Sequence, residues 1–167
     1  MFRAAATCVL LSAAALVVVP PEHASSPVQI SYRADLATMT RTASYQVLAP
    51  AGLPRSWTPV KSGVAVGGAN GAGTVTWRLS FATPSGTFAA LEETNATAAP
   101  FIRRMTNSGT AQPPVTINGR TWTPSVTAAR DQRSLAGTTA GGVTLVVTGN
   151  ASTAQLRTLA ASLRPAR

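Results

Sequence analysis

The chain has 167 residues, with one cysteine (Cys8), one histidine (His23) and five acidic residues. That set excludes a disulfide framework, a histidine-dependent catalytic triad and a histidine- or cysteine-built zinc site. The formal net charge of +9 comes almost wholly from arginine, Lys61 being the only lysine. The arginines stand singly except for Arg103-Arg104, and no recognition motif accompanies them, so nucleic acid is not an expected partner; an anionic lipid or wall polymer is the polyanion an exported basic domain would meet first.

The chain opens on Met1, Phe2 and Arg3, and the run Ala4 to Val19 then carries no charge, with Thr7 and Ser12 its only polar side chains. Its 16 residues span roughly 24 Å as a helix, which is short for a membrane crossing and fits the core of a signal peptide. The exit from this run argues the other way. A cut after Ala24 places Glu22 at the third position before it, and a cut after Ser26 places Pro27 beside the scissile bond. We therefore expect a signal anchor or signal peptide over residues 1–20, contacting the membrane through residues 4–19. The expected form is single-pass in the cytoplasmic membrane with the amino end inside, following Arg3. If the leader is cleaved, the product is secreted. Cys8 lies too early in the run for a lipid-modified cysteine.

Residues 21–34 read as a linker, 35–164 as one exported domain of ordinary single-domain length, and 165–167 as a tail. Leu36, Met39, Thr40 and Ala43 are spaced three or four apart and predict a short helix capped by Asp35 and ending near Ser44. Tyr45 to Ala49 predicts a strand stopped by Pro50, followed by a turn at Ala51-Gly52-Leu53-Pro54. Two strands, Trp57 to Val66 and Thr74 to Ala82, flank the glycines of Val66 to Gly73. In the second strand Val75, Trp77, Leu79 and Phe81 alternate with Thr74, Thr76, Arg78 and Ser80, the pattern of a half-buried strand. Thr83-Pro84-Ser85-Gly86 fits a type I turn with a glycine bulge, which sends Thr87 to Thr94 straight back. Pairing Thr83 with Thr87 sets Leu79 against Leu91 on the core face and Arg78 against Glu92 on the other.

Pro100 suits the first turn of a brief helix carrying Phe101, Ile102 and Met105, with Arg103 and Arg104 outward. Gln112 to Ile117 and Arg120 to Val126 form a hairpin across Asn118-Gly119. Arg133 to Thr139 and Val143 to Thr148 form another across Ala140-Gly141-Gly142. The last helix has a capping box, Ser152 with Gln155, and one apolar stripe of Leu156, Leu159, Ala160 and Leu163. Arg55-Ser56-Trp57-Thr58-Pro59 is echoed by Arg120-Thr121-Trp122-Thr123-Pro124, and Val75-Thr76-Trp77 by Val143-Thr144-Leu145, which raises a two-halved architecture. Trp57 and Trp122 read as core anchors, on strands that end early or lie at edges because of the following prolines.

No catalytic residue, metal ligand or cofactor is expected. Glu92 and Glu93 are neighbours on a strand and point to opposite faces, so they do not make an acid and base pair. Lys61 is the only conceivable activating amine for a serine or threonine, and no Ser-x-x-Lys or Gly-x-Ser-x-Gly spacing occurs. The glycine loop lacks the Gly-Lys-Ser/Thr ending of a phosphate cradle and reads as a hairpin loop. If the domain has a ligand site, the residues to examine are Arg78 and Glu92 on the exposed sheet face, with the neighbouring Trp77.

Pro50-Ala51-Gly52-Leu53-Pro54-Arg55-Ser56-Trp57, Val75-Thr76-Trp77, Thr83-Pro84-Ser85-Gly86, Leu91-Glu92, Gly119-Arg120-Thr121-Trp122 and Val146-Val147-Thr148-Gly149 together resemble the domain of unknown function 4245 family, and the resemblance spans nearly the whole chain. It implies a membrane-anchored envelope protein of high-GC Gram-positive bacteria, an anchor followed by one exported domain, and it assigns no catalytic or binding residue. The expected fold is α+β: an antiparallel sheet of about five to seven strands with two or three helices packed mainly on one face, plus an N-terminal hydrophobic helix. The expected role is a non-catalytic binding or interaction module at the cell envelope. The alternatives are an envelope-acting enzyme using Glu92 and Arg78, and a basic surface that holds anionic lipid or wall polymer.

Overall fold

A computed structural model describes residues 27–67 and 73–166. The hydrophobic run at residues 4–19 and the tip of the glycine loop lie outside the described residues. In chain order the elements are α1 (Arg33–Thr42), β1 (Leu48–Pro50), β2 (Thr58–Val66), β3 (Val75–Ala82), β4 (Phe88–Thr94), α2 (Ala98–Met105), β5 (Thr110–Ala111), β6 (Val115–Ile117) and β7 (Arg120–Thr127). A 3-10 turn (Ala128–Arg130) leads to β8 (Gln132–Thr138), β9 (Thr144–Gly149), α3 (Thr153–Ser162) and β10 (Leu163–Pro165).

Eight strands make one antiparallel sheet in the order β2-β3-β4-β9-β8-β7-β5, with β6 also paired to β7, while β1 and β10 form a ladder of their own. The α+β class read from the sequence holds, and the sheet exceeds the expected strand count by one. The extra member is β5, two residues long and too short to leave a periodic signal.

Local chemistry accounts for the strand pairings. Thr83 N–H donates to Thr87 O at 2.8 Å and Gly86 N–H to Thr83 O at 3.0 Å, with Gly86 at φ +75° as the bulge requires. Leu79 therefore faces Leu91 and Arg78 faces Glu92. Asn118 and Gly119 both take positive φ, the geometry of the two-residue turn that sets Ile117 against Arg120. Pro59 falls beside a register shift on β2, an edge strand, and Pro124 falls between the stretches of β7 that pair with β6 and with β5.

The two sheet faces are covered unequally. One face carries Trp77, Leu79, Leu91, Leu135, Leu145 and Val147, and on it pack Met39 of α1 and Leu156, Leu159 and Ala160 of α3. This is the main core, and Trp57 and Trp122 both belong to it. On the other face α2 is the only helix laid down among the described residues, with Phe101 against Ala136 and Val146. The neighbours Val146 and Val147 serve different clusters because successive strand side chains point to opposite faces.

Four expectations need correction. Asp35 does not cap α1: Tyr32 holds that position without a side-chain bond, and Asp35 lies inside the first turn, where its charge complements the helix dipole. The linker ends earlier than residue 34, because Ile30 N–H donates to Pro59 O at 2.9 Å and the Tyr32 ring packs against Trp77 and Phe81. The tail expected at residues 165–167 begins inside the fold: Pro165 ends β10, which pairs with β1, and Ala166 N–H donates to Val47 O at 2.8 Å. The internal echo extends to one strand only. Each Trp-Thr-Pro motif stands at the outer strand of a three-strand meander, β2-β3-β4 or β7-β8-β9. Val75 lies on the second strand of its meander, however, whereas Val143 leads into the third of the other. Moreover, α2 and α3 cover opposite faces, whereas a two-fold axis through the β4–β9 pair would leave both on one face.

Candidate functional site

Arg78 and Glu92 meet across β3 and β4, Nη1 to Oε1 at 3.2 Å, on the face that carries α2. The arginine side chain is 53% exposed and the glutamate 4%, so this is a buried carboxylate beneath a wet guanidinium rather than two groups on an open surface. Burial pushes the Glu92 carboxyl up to about 7, against the lowering pull of Arg78 and then of Arg104. Trp77 is not part of this arrangement. It points to the opposite face, fully buried, with its indole Nε1 donating to Ser62 Oγ at 3.1 Å. Alternation along β3 requires this separation.

The other glutamate sits in a stranger place. Glu93 is fully buried on the main core face, opposite Trp77 and Leu145, and its two carboxyl oxygens accept from the single Leu48 N–H at 3.1 and 3.3 Å. Burial pushes its carboxyl up to about 8, with the Leu48 bond and the Arg120 charge acting in the lowering direction. Burial, and next the Glu93 charge, also push the Tyr45 hydroxyl up. Among the described residues that hydroxyl has no hydrogen-bond partner, nor has the indole N–H of Trp122, whose ring lies 5.9 Å from the Arg120 guanidinium. The alternation that turns Leu91 inward turns Glu93 inward as well, which was the available signal. Tyr45 and Arg120 come from distant segments, and no spacing announces them.

Arg120 links two cavities at this end of the sheet. The smaller, about 260 Å³, lies on the core side between Tyr45, Leu48, Val143 and the turn Thr139–Gly141. The larger, about 690 Å³, opens on the other face beside α2. It exists because α2 is only eight residues long and leaves the outer part of β7 and β8 uncovered. It is lined by Thr121, Thr123, Ser125, Thr138 and Thr139, with Ile102, Ala111, Ala136 and Ala140 between them, and Arg120 is the one charged lining residue among the described residues, its guanidinium lying over the Trp122 ring. The arrangement can hydrogen-bond a polar ligand and pack its apolar parts. Volume and lining are those of a small-molecule or oligomer site.

Fold and cavity together define an α+β sheet domain with a hydroxyl-lined cleft on its thinly covered face. The family model described as protein of unknown function (DUF4245) matches residues 1–163, and the chain belongs to that family. No curated protein matches it, and no solved structure does.

Proposed function

We propose that the chain is a non-catalytic binding module displayed outside the cytoplasmic membrane, held by the run Ala4 to Val19, and that the cleft beside α2 is its ligand site. The observation that carries this reading is the cleft's lining: threonine, serine and asparagine residues with small apolar ones between them, and no aspartate, glutamate, histidine or cysteine among the described residues. Such a surface binds through hydrogen bonds and van der Waals contact and has no group suited to proton transfer near neutral pH. No described helix is long and apolar enough to cross a membrane, and the uncharged run at residues 4–19 is the segment proposed as the anchor.

The test has two parts. Protease shaving of intact cells should remove the domain while leaving cytoplasmic markers untouched; protection of the domain would refute the display. A panel of soluble saccharides titrated against the full chain in neutral micelles should yield saturable binding that Thr123→Trp abolishes by filling the cleft. Binding insensitive to that change would move the site elsewhere.

The enzymatic reading retains one specific support, a buried Glu92 held near neutrality beside Arg78. Turnover on a hydrolase panel that disappears in Glu92→Gln would replace the module with an enzyme.

A further inference from the structure

We infer a second binding site, for a phosphate group, on the outer side of α2, where Arg103, Arg104 and Arg130 converge on one concavity. The cavity is about 420 Å³ and is completed by Pro100, Asn107 and Ser108. Arg103 and Arg104 end α2, where the helix dipole favours cations, and that alone explains their presence. It does not explain Arg130, which comes from the 3-10 turn before β8.

The two segments are clamped together by polar bonds. Thr127 Oγ1 donates to Thr106 O at 2.8 Å, Gln132 Nε2 donates to Met105 O at 2.7 Å, and the Asn107 amide donates to Gln132 Oε1. The fold thus roots three like-charged side chains around one hollow, and an anion between them would offset their mutual repulsion.

Among the described residues none supplies such an anion. Asp131, next to Arg130 in the chain, is turned to Arg133 at 3.1 Å, and Glu92 is taken by Arg78. Those are the only ion pairs among the described residues, which leaves Arg103, Arg104 and Arg130 without a carboxylate within salt-bridge distance. The Arg104 guanidinium also lies 5.4 Å over the Phe101 ring. Planar guanidinium forks match tetrahedral phosphate oxygens better than they match any neutral ligand. The ligand class is therefore a phosphate-bearing group, carried by a lipid head group or by a free phosphate compound.

This site is distinct from the cleft, which lies against the other side of α2, and its existence does not depend on the cleft being occupied. The experiment uses the full chain in phosphatidylcholine nanodiscs, titrated with inorganic phosphate and with pyrophosphate while the arginine side-chain N–H resonances are followed. The expected result is a saturable shift of the Arg103, Arg104 and Arg130 signals, weakened by added salt. Affinity should fall about tenfold or more in Arg103→Gln/Arg130→Gln, and should stay within about twofold in Arg33→Gln/Arg157→Gln, which removes the same net charge elsewhere. Equal losses in the two double variants would reduce the effect to overall charge and overturn the site, as would shifts confined to other arginines. A parallel preparation in discs containing phosphatidylglycerol separates the sources: shifts there without added phosphate assign a lipid head group, and their absence assigns a free phosphate compound. Cleft residues serve as the internal check, since Thr123→Trp should leave the phosphate titration unchanged.

Discussion

Glu92 and Glu93 are adjacent, and their surroundings differ because one residue along a strand is half a turn of side-chain direction. Glu92 has a guanidinium at hand, while Glu93 has one backbone N–H and an apolar neighbourhood. Both carboxyls are pushed up from 4.5, to about 7 and about 8, chiefly by burial. The folded chain therefore holds protons more tightly than the unfolded chain does, and between the unfolded value near 4.5 and the folded values near 7 and 8, stability falls as pH rises. Melting followed by circular dichroism should show Tm decreasing from pH 5 to pH 8, by about 5 °C or more. Glu93→Gln keeps an acceptor for Leu48 and does not ionise, so its profile should be flatter and its Tm higher than the parent's at the alkaline end. A parent Tm that rises over this range would contradict the buried placement of Glu93. Tyr45 offers a complementary check: its hydroxyl is buried without a partner among the described residues, so Tyr45→Phe should be neutral or stabilising by up to about 1 kcal/mol, read in denaturant unfolding.

Among the elements, α3 is the most completely specified. The Ser152 hydroxyl accepts from Gln155 N–H at 3.2 Å and the Gln155 side chain accepts from Ser152 N–H at 3.0 Å, so Ser152→Ala should cost about 1 kcal/mol of stability. On β8, Gly137 permits the Trp122 ring to lie against the strand. A Cβ there would come 2.9 Å from Thr121 O and 3.3 Å from the ring, so Gly137→Ala should displace Trp122, lowering Tm and altering tryptophan fluorescence. Elements with such local instructions are legible in the chain: the Thr83–Gly86 turn, the Asn118-Gly119 turn, the capping box and the Leu79–Leu91 register all follow from residues a few positions apart. Elements that exist only by pairing are not. Leu163 to Pro165 carries no strand pattern and becomes β10 because β1 lies beside it. The same distinction runs through the sites, since Arg78 and Glu92 could be matched by register, whereas Arg120 reaches Glu93, and Arg130 reaches Arg103, only through the tertiary fold.

For the whole molecule, the decisive asymmetry is that two helices cover one sheet face and one short helix covers part of the other. The well-covered face supplies stability. Leu91 at its centre, fully buried and paired with Leu79 and Val147, should cost about 2–5 kcal/mol when changed to alanine. The thinly covered face holds the cleft, and the far side of its single helix holds the three-arginine hollow, so recognition falls where packing is least complete.

The sheet order also imposes a timetable on synthesis. β4 is the inner rim of the first meander, and its ladder mate β9 arrives last of the sheet strands, so Leu91 must wait for Val147. Until β9 is available, a folded first meander would present an unsatisfied, largely apolar border, the kind of edge that recruits neighbouring chains. A polypeptide halted after Gly109 should accordingly sediment as aggregates, and adding residues 110–166 in trans should rescue part of it into solution. The central seam makes the two meanders joint owners of a single folding event.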